Sequence, residues 1–240
     1  MSSWDHYLSD VDRAVLARGR WAQRGGVGRR PALLIIDAQN YMAGVRGGEQ
    51  AAYPASSGEI GWQAIDQIAR LLEVARRCGV SVVFTRLMID PAIADDGGVL
   101  TRKIGNKAGK FMFFAGTHGS EIVAPLAPVP GEPVIEKKRF SAFFGTPLLS
   151  HLIAGGIDTL VVTGGSTSNC VRATVVDGAS FDFRVVVPRE AVFDRIPVCH
   201  EISLFDMHQA YADVLDCAAV AEYLAGPALA ADKGLTAITH

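Results

Sequence analysis

No run of apolar residues in this sequence is long enough to cross a bilayer, so no membrane-spanning helix is expected. Cysteine is scarce. The 240 residues hold four, Cys78, Cys170, Cys199 and Cys217, and no two form a C-x-x-C pair. That spacing supports neither a zinc ribbon nor a thioredoxin-type redox motif. The first twenty residues are charged and have no apolar stretch, unlike a secretory signal. A cytoplasmic location with free thiols is therefore expected. Charge of one sign is also missing. The 23 Lys and Arg nearly balance 25 Asp and Glu, giving a formal net charge of -2. Such a chain offers no basic surface to nucleic acid or to an anionic membrane, and neither is expected as a partner.

What is present is apolar substance, 49% of the residues, enough for one large core. Residues 1–30 read as a polar N-terminal arm, with helix near Asp10–Arg20 and a flexible, basic lead-in from Arg24 to Arg30. Residues 31–226 read as one domain, and 227–240 as a C-terminal tail. Short apolar runs predict strands at Pro31–Asp37, Val80–Thr85, Pro133–Glu136, Thr159–Thr163, Arg184–Val187 and Val214–Leu215. Between them lie helical patterns. One follows a capping box, Ser56-x-x-Glu59, carries the stripe Ile65, Ile68, Leu71, Leu72 and Ala75, and ends at Gly79. Others run from Thr146-Pro147 to Gly155, from Asn169 to about Ala179, over 203–212, and up to Leu224. Residues 40–58 and 90–131 read as loops. The alternation predicts an α/β fold, three layers α/β/α around a six-stranded parallel sheet of order 3-2-1-4-5-6.

Sites in open parallel sheets form beyond the carboxyl ends of the strands. Three of those ends carry unusual residues. The first strand closes on Asp37, an acid that is costly to bury unless paired. The third ends in Glu136-Lys137. The fourth runs into Gly164-Gly165-Ser166-Thr167-Ser168-Asn169-Cys170 and then a helix. A cysteine at a helix start has its thiolate favoured by the macrodipole, and nearby backbone N–H groups can bind an oxyanion. Each feature has a structural alternative: a cysteine packed as a small hydrophobe, an acid capping a strand end, a solvated run of charge from Glu136 to Arg139.

Taken together, the segments Ala32–Asp37, Lys137 with Ser141-Ala142-Phe143, and Gly164–Val171 resemble the isochorismatase-like cysteine hydrolase superfamily over roughly residues 25–220. The resemblance implies a triad of Asp37, Lys137 and Cys170 and a cis peptide at Gly165–Ser166. The nearest subgroup is that of the N-carbamoylsarcosine and maleamate amidases, through Thr167–Thr174, Phe193-Asp194-Arg195, Leu204-Phe205-Asp206 and Tyr211–Val214. It implies a hydrolase that cleaves a non-peptide amide or carbamoyl C–N bond of a small carboxylate-bearing molecule through a thioester. Cys170 is then the nucleophile and Asp37 its base, while Lys137 holds Asp37 and lowers the thiol pKa. The backbone N–H groups of Ser166 and Cys170 form the oxyanion hole. Arg195, with Thr167, is the expected carboxylate clamp. Arg139 and Arg172 are further options for that role, and a surface ion pair with Asp194 or Glu190 is the bland alternative for Arg195. The Asp-x-His motif of metal-binding nicotinamidases is missing from its place here, since Asp5-His6 are adjacent and Asp206-Met207-His208 comes far too late in the chain, so no metal and no cofactor are expected, and nicotinamide is disfavoured as substrate. A homo-oligomer, a tetramer by resemblance, is implied.

Three rival readings stand beside this one. The chain could hydrolyse a ureido compound, a lactam or an isochorismate-type ether, though a cysteine at this position favours the amidase branch. It could be a non-catalytic binding protein on the same fold. It could be a thiol redox sensor, which needs a resolving cysteine near Cys170. His118, His151, His200 and His208 show no ligand spacing. Phe111, Phe113 and Phe114 are candidates for a pocket wall or for core.

Overall fold

The apolar runs fold into a single parallel sheet in the computed structural model, which describes residues 4–48, 53, 55–93, 96–104 and 113–226. Its strands are β1 (Pro31–Ile36), β2 (Ser81–Leu87), β3 (Val134–Lys137), β4 (Thr159–Gly165), β5 (Arg184–Pro188), β6 (Val192–Phe193) and β7 (Asp213–Leu215). The order is β3-β2-β1-β4-β5-β7, with β6 added beside the end of β4. The predicted order holds, and the expected sixth strand is β7. The additional strand, β6, has only two residues, too few for a period to register. The tail from 227 and Phe111 lie outside the described residues.

β1 and β4 are buried on both faces, as strands covered by helices on each side must be. Successive side chains still alternate. Leu33 and Ile35 enter a core with α3 (Gly58–Cys78) and α8 (Cys217–Ala225). Ala32, Leu34 and Ile36 enter a second core with α5 (Leu148–Ala154), α6 (Arg172–Ser180) and α7 (Pro197–Ala210). All five residues of the predicted α3 stripe are buried, and Gly79 ends the helix at φ +64°, the left-handed conformation that glycine takes freely.

Several expectations are corrected. The proposed capping box is not formed: α3 starts after Ser57, which makes no side-chain cap, and Gly58 opens the helix at φ +57°. Pro147 is the cap residue of α5, with the Thr146 hydroxyl accepting from the Leu148 N–H at 3.2 Å. α7 begins six residues earlier than its apolar pattern suggested, because Pro197 fits the first helical turn. Within the two predicted loops lie α2 (Asn40–Ala43) and α4 (Gly98–Ile104).

The N-terminal helix α1 spans Asp10–Arg18 behind a Ser9–Asp12 capping box. The arm around it is not loose. Trp4 is buried in the second core, and the glycine-rich lead-in is pinned to the sheet. Gly25 and Gly26 donate to the Asp213 carboxylate at 3.1 and 2.9 Å, and Arg29 and Arg30 donate through their backbone to Asp158. No described helix is long and apolar enough to cross a membrane.

Candidate active site

Continued alternation past Ile36 would carry Asp37 to the α3 side of the sheet. Its backbone leaves the strand instead, at φ +44°. A residue with a side chain holds that conformation at a cost of order 1–3 kcal/mol and only where its surroundings over-determine it. Here they do. The Asp37 N–H meets the Thr85 carbonyl and hydroxyl, each at 3.2 Å, and the Thr85 hydroxyl donates to Oδ1 at 2.7 Å. Two residues on, Gln39 is fully buried and braces the same strand end. Its amide accepts from the Leu87 N–H and donates to the carbonyls of Leu87 and Ser120.

Lys137 closes β3, two strands away from β1. Its side chain spans the end of β2 and sets Nζ 2.6 Å from Asp37 Oδ2, with both groups essentially without solvent contact. The ammonium also donates to the carbonyls of Arg139 and Phe140 at 2.9 Å and to Cys170 Sγ at 3.3 Å. Burial works against its charge. The neighbouring Asp37 and Cys170 outweigh that penalty, so its pKa lies above the ordinary lysine value and it stays an ammonium. The charge run proposed as the bland reading of this segment is thus split. Lys137 points inward, while Glu136 pairs with Arg86 and Lys138 with Asp96 near the surface.

The turn that carries Cys170 depends on glycine. At Gly164, with φ +102°, an added Cβ would stand 2.0 Å from the Ile36 carbonyl oxygen, and at Gly165 it would meet the Phe193 ring at 2.4 Å. The peptide between Gly165 and Ser166 is cis, at the place the resemblance indicated. A π-helical turn, Thr167–Val171, then leads into α6. Cys170 therefore sits inside the first turn of a helix that starts two residues sooner than expected. The Ser166 carbonyl accepts from the N–H groups of Asn169 and Val171 at 3.0 and 3.2 Å. The Thr174 hydroxyl donates to the Cys170 carbonyl at 2.7 Å and accepts from the Ala142 N–H at 3.0 Å. It thereby ties the helix of Cys170 to the loop that holds the Lys137 ammonium.

Lys137 lowers the thiol pKa as expected, but burial outweighs it. Burial pushes the Cys170 thiol up to about 12, against the pull of Lys137 and with a further push from Asp37. Burial thus favours the neutral thiol over the thiolate despite the ammonium. A proton acceptor is needed, and Asp37, held against the same Lys137 ammonium as the thiol, is the carboxylate at hand. Asp37 Oδ2 has no well-aligned hydrogen-bond donor among the described residues, although the Lys137 ammonium stands beside it.

Asp37 and Cys170 border a narrow hollow of about 30 Å³, room for about one water molecule, and the Lys137 ammonium stands behind them without lining it. Its wall also includes Tyr41, Leu87, Phe113, Ser166, Asn169 and Arg195. Arg195 donates to the Ser166 hydroxyl at 2.9 Å and has no ion pair among the described residues, so the pairing with Asp194 or Glu190 is not made. Thr167 is not brought in. It is fully buried, and its hydroxyl lies 2.8 Å from His200 Nδ1. Ser166 presents a hydroxyl to the hollow in its place. Arg139 donates to the carbonyls of Asp96 and Lys138, and Arg172 pairs with Asp206, so neither reaches the site. Of the three phenylalanines, Phe113 lines the hollow and Phe114 does not.

Thr85 and Gln39 were not singled out from the sequence, and Asn169, Thr174 and Asp194 entered only within the motifs that carry the resemblance. Asn169 was readable as the neighbour of the cysteine. Thr85 and Gln39 act through contacts between distant chain segments and left no local signal. A larger hollow, about 350 Å³, lies at the opposite end of the sheet beside Arg184 and Asp213, which open β5 and β7. It holds none of the triad and sits at the wrong strand ends for an open parallel sheet. Among the described residues, no three His, Cys, Asp or Glu side chains converge as a metal site.

The family model described as the isochorismatase domain matches residues 31–219. The maleamate amidohydrolase of Pseudomonas putida is 41% identical over 206 residues, which cover 82% of this chain and 88% of that protein. The N-carbamoylsarcosine amidase of an Arthrobacter species is 35% identical over 206 residues, covering 84% of this chain and 74% of that one. The crystal structure of an isochorismatase family protein from Desulfovibrio vulgaris superposes with a TM-score of 0.69 at 35% identity, over 83% of this chain and all of the other.

Proposed function

The chain belongs to the isochorismatase family, and from that premise we propose that it is a cysteine-dependent amidohydrolase of small, carboxylate-bearing amides. One observation carries the reading. A buried thiol and a carboxylate share one hollow and one ammonium behind it, with Cys170 Sγ 3.3 Å and Asp37 Oδ2 2.6 Å from the same Lys137 nitrogen. The names of the amidohydrolase relatives support the reaction class.

The chemistry follows from the protonation states. Asp37 takes the thiol proton as Sγ attacks the amide carbonyl, and the tetrahedral intermediate places its negative oxygen toward the backbone N–H groups of Ser166 and Cys170. One such donor is worth about 3 kcal/mol in the transition state. The C–N bond then breaks, the nitrogen leaves with the proton from Asp37, and a thioester to Cys170 remains. Water attacks it with Asp37 as base, Sγ regains its proton, and the acid departs. Lys137 stays charged throughout and holds the carboxylate in line. Arg195, without an acidic partner in the hollow, is the group that a substrate carboxylate meets, because a guanidinium binds carboxylate in bidentate fashion.

Ammonia release from maleamate, N-carbamoylsarcosine, ureidoacrylate and the neutral amide nicotinamide tests the proposal. The acidic amides are expected to turn over and the neutral one to lag. Cys170→Ala is expected to abolish release, and undiminished turnover by that variant would refute the nucleophile.

A further inference from the structure

A buried carboxylate that takes no part in the proposed chemistry lies between the two halves of the site. Asp194 is 4% exposed and follows directly on β6. The pairing of β6 with Gly164 and Gly165 delivers it beside the turn that precedes Cys170. Its Oδ2 accepts from the Ser168 N–H at 2.9 Å and the Ser168 hydroxyl at 2.6 Å, both in the π-helical turn of the nucleophile. Its Oδ1 accepts from the Ile196 N–H at 3.2 Å, which closes a local turn around Arg195. The Arg195 side chain then reaches back to the Ser166 hydroxyl. Arg195 stands in the short connector between β6 and α7, and this carboxylate is what gives that connector a fixed shape.

We propose that Asp194 is a positioning residue that locks the carboxylate-binding Arg195 and the Cys170 turn into one register, so that a substrate anchored at its acid end presents its amide carbon to the sulfur. The inference rests on the reading of Arg195 as the clamp. Geometry of this kind governs rate steeply, since a misplacement near 1 Å can cost on the order of a hundredfold. A carboxylate suits the position because it only accepts, and all three of its partners only donate here. An amide in its place turns an N–H group toward one of them.

Asp194→Asn, Arg195→Ala and the double variant test this, with kcat and KM measured on an acidic amide and the rate of Cys170 alkylation by iodoacetamide followed in parallel. Asp194→Asn is expected to raise KM and lower kcat, each on the order of tenfold. In the Arg195→Ala background it is expected to add little to KM while still slowing alkylation, because its effect on binding passes through the arginine. Undisturbed kinetics in a variant that only melts earlier would overturn the proposal, as would a full additive rise in KM in the double variant. An Arg195→Ala enzyme with unchanged KM would sink the clamp itself, a different failure. Should Asp194→Asn fail to fold, Ser168→Ala removes only the hydroxyl arm. It is expected to slow alkylation with KM nearly intact, and normal alkylation would count against the proposal.

Discussion

Lys137→Met keeps most of the side chain's length and volume and deletes one buried charge. In the folded protein that charge stands 2.6 Å from Asp37 Oδ2. At an effective dielectric near 20, two unit charges so placed attract by about 6 kcal/mol, part of which is offset by removing both from water. Deleting the ammonium strands the carboxylate. Its remaining side-chain donor is the Thr85 hydroxyl, and the carbonyls of Arg139 and Phe140 lose a donor as well. A buried ion pair broken on one side costs about 3–5 kcal/mol. Asp37→Asn breaks the same pair from the other side. The double variant holds neither charge, so its cost is expected to fall short of the sum of the two by about 3 kcal/mol. Urea unfolding followed by tryptophan fluorescence reads this directly, since Trp4 and Trp62 are both buried. A coupling below about 0.5 kcal/mol would refute the claim that the two residues act as one electrostatic unit. All three variants are expected to be inactive, so stability rather than turnover is the informative readout.

Two further outcomes follow from the same site. Because burial holds the Cys170 thiol near 12 while an unfolded thiol titrates at about 9, the unfolded chain loses that proton first. Stability is unaffected below pH 9 and is lost as pH rises toward 12, by at most about 1.4 kcal/mol per pH unit. Measured against Cys170→Ala over that window, the wild type should weaken faster, and parallel curves would contradict the assignment. Thr85→Val removes the hydroxyl on Asp37 Oδ1 with little change of shape and is expected to cut kcat by roughly tenfold to a hundredfold, as befits about 1.5–3 kcal/mol for a hydrogen bond to a charged group, with Thr85→Ser restoring most of it. Equal activity in the valine variant would show that the carboxylate holds its place without that bond.

Local pattern carried far in this chain. The run PALLII could only be a strand covered on both faces, and the α3 stripe could only be one side of a helix, because burial imposes the periods of the backbone. The strand ends at Asp37 and Lys137 and the glycine-rich turn before Cys170 were visible for a related reason: each departs from the apolar rule where a strand stops. Tertiary structure decided the rest. Composition alone left the charge run at Glu136–Arg139 open, and what Lys137 reaches depends on β2 and β1 lying beside β3 and on the reach of one side chain across them. Nor could Thr167 and Ser166 be told apart as pocket residues, because adjacent positions in a turn point different ways only once the turn has a shape. Thr85 and Asp194 hold the site from 48 and 26 residues away along the chain, through bonds formed only when separate strands align. The balance on the thiol is a tertiary matter too. A helix start and a nearby ammonium are features of sequence and favour the thiolate, whereas the burial that opposes them belongs to the packed core.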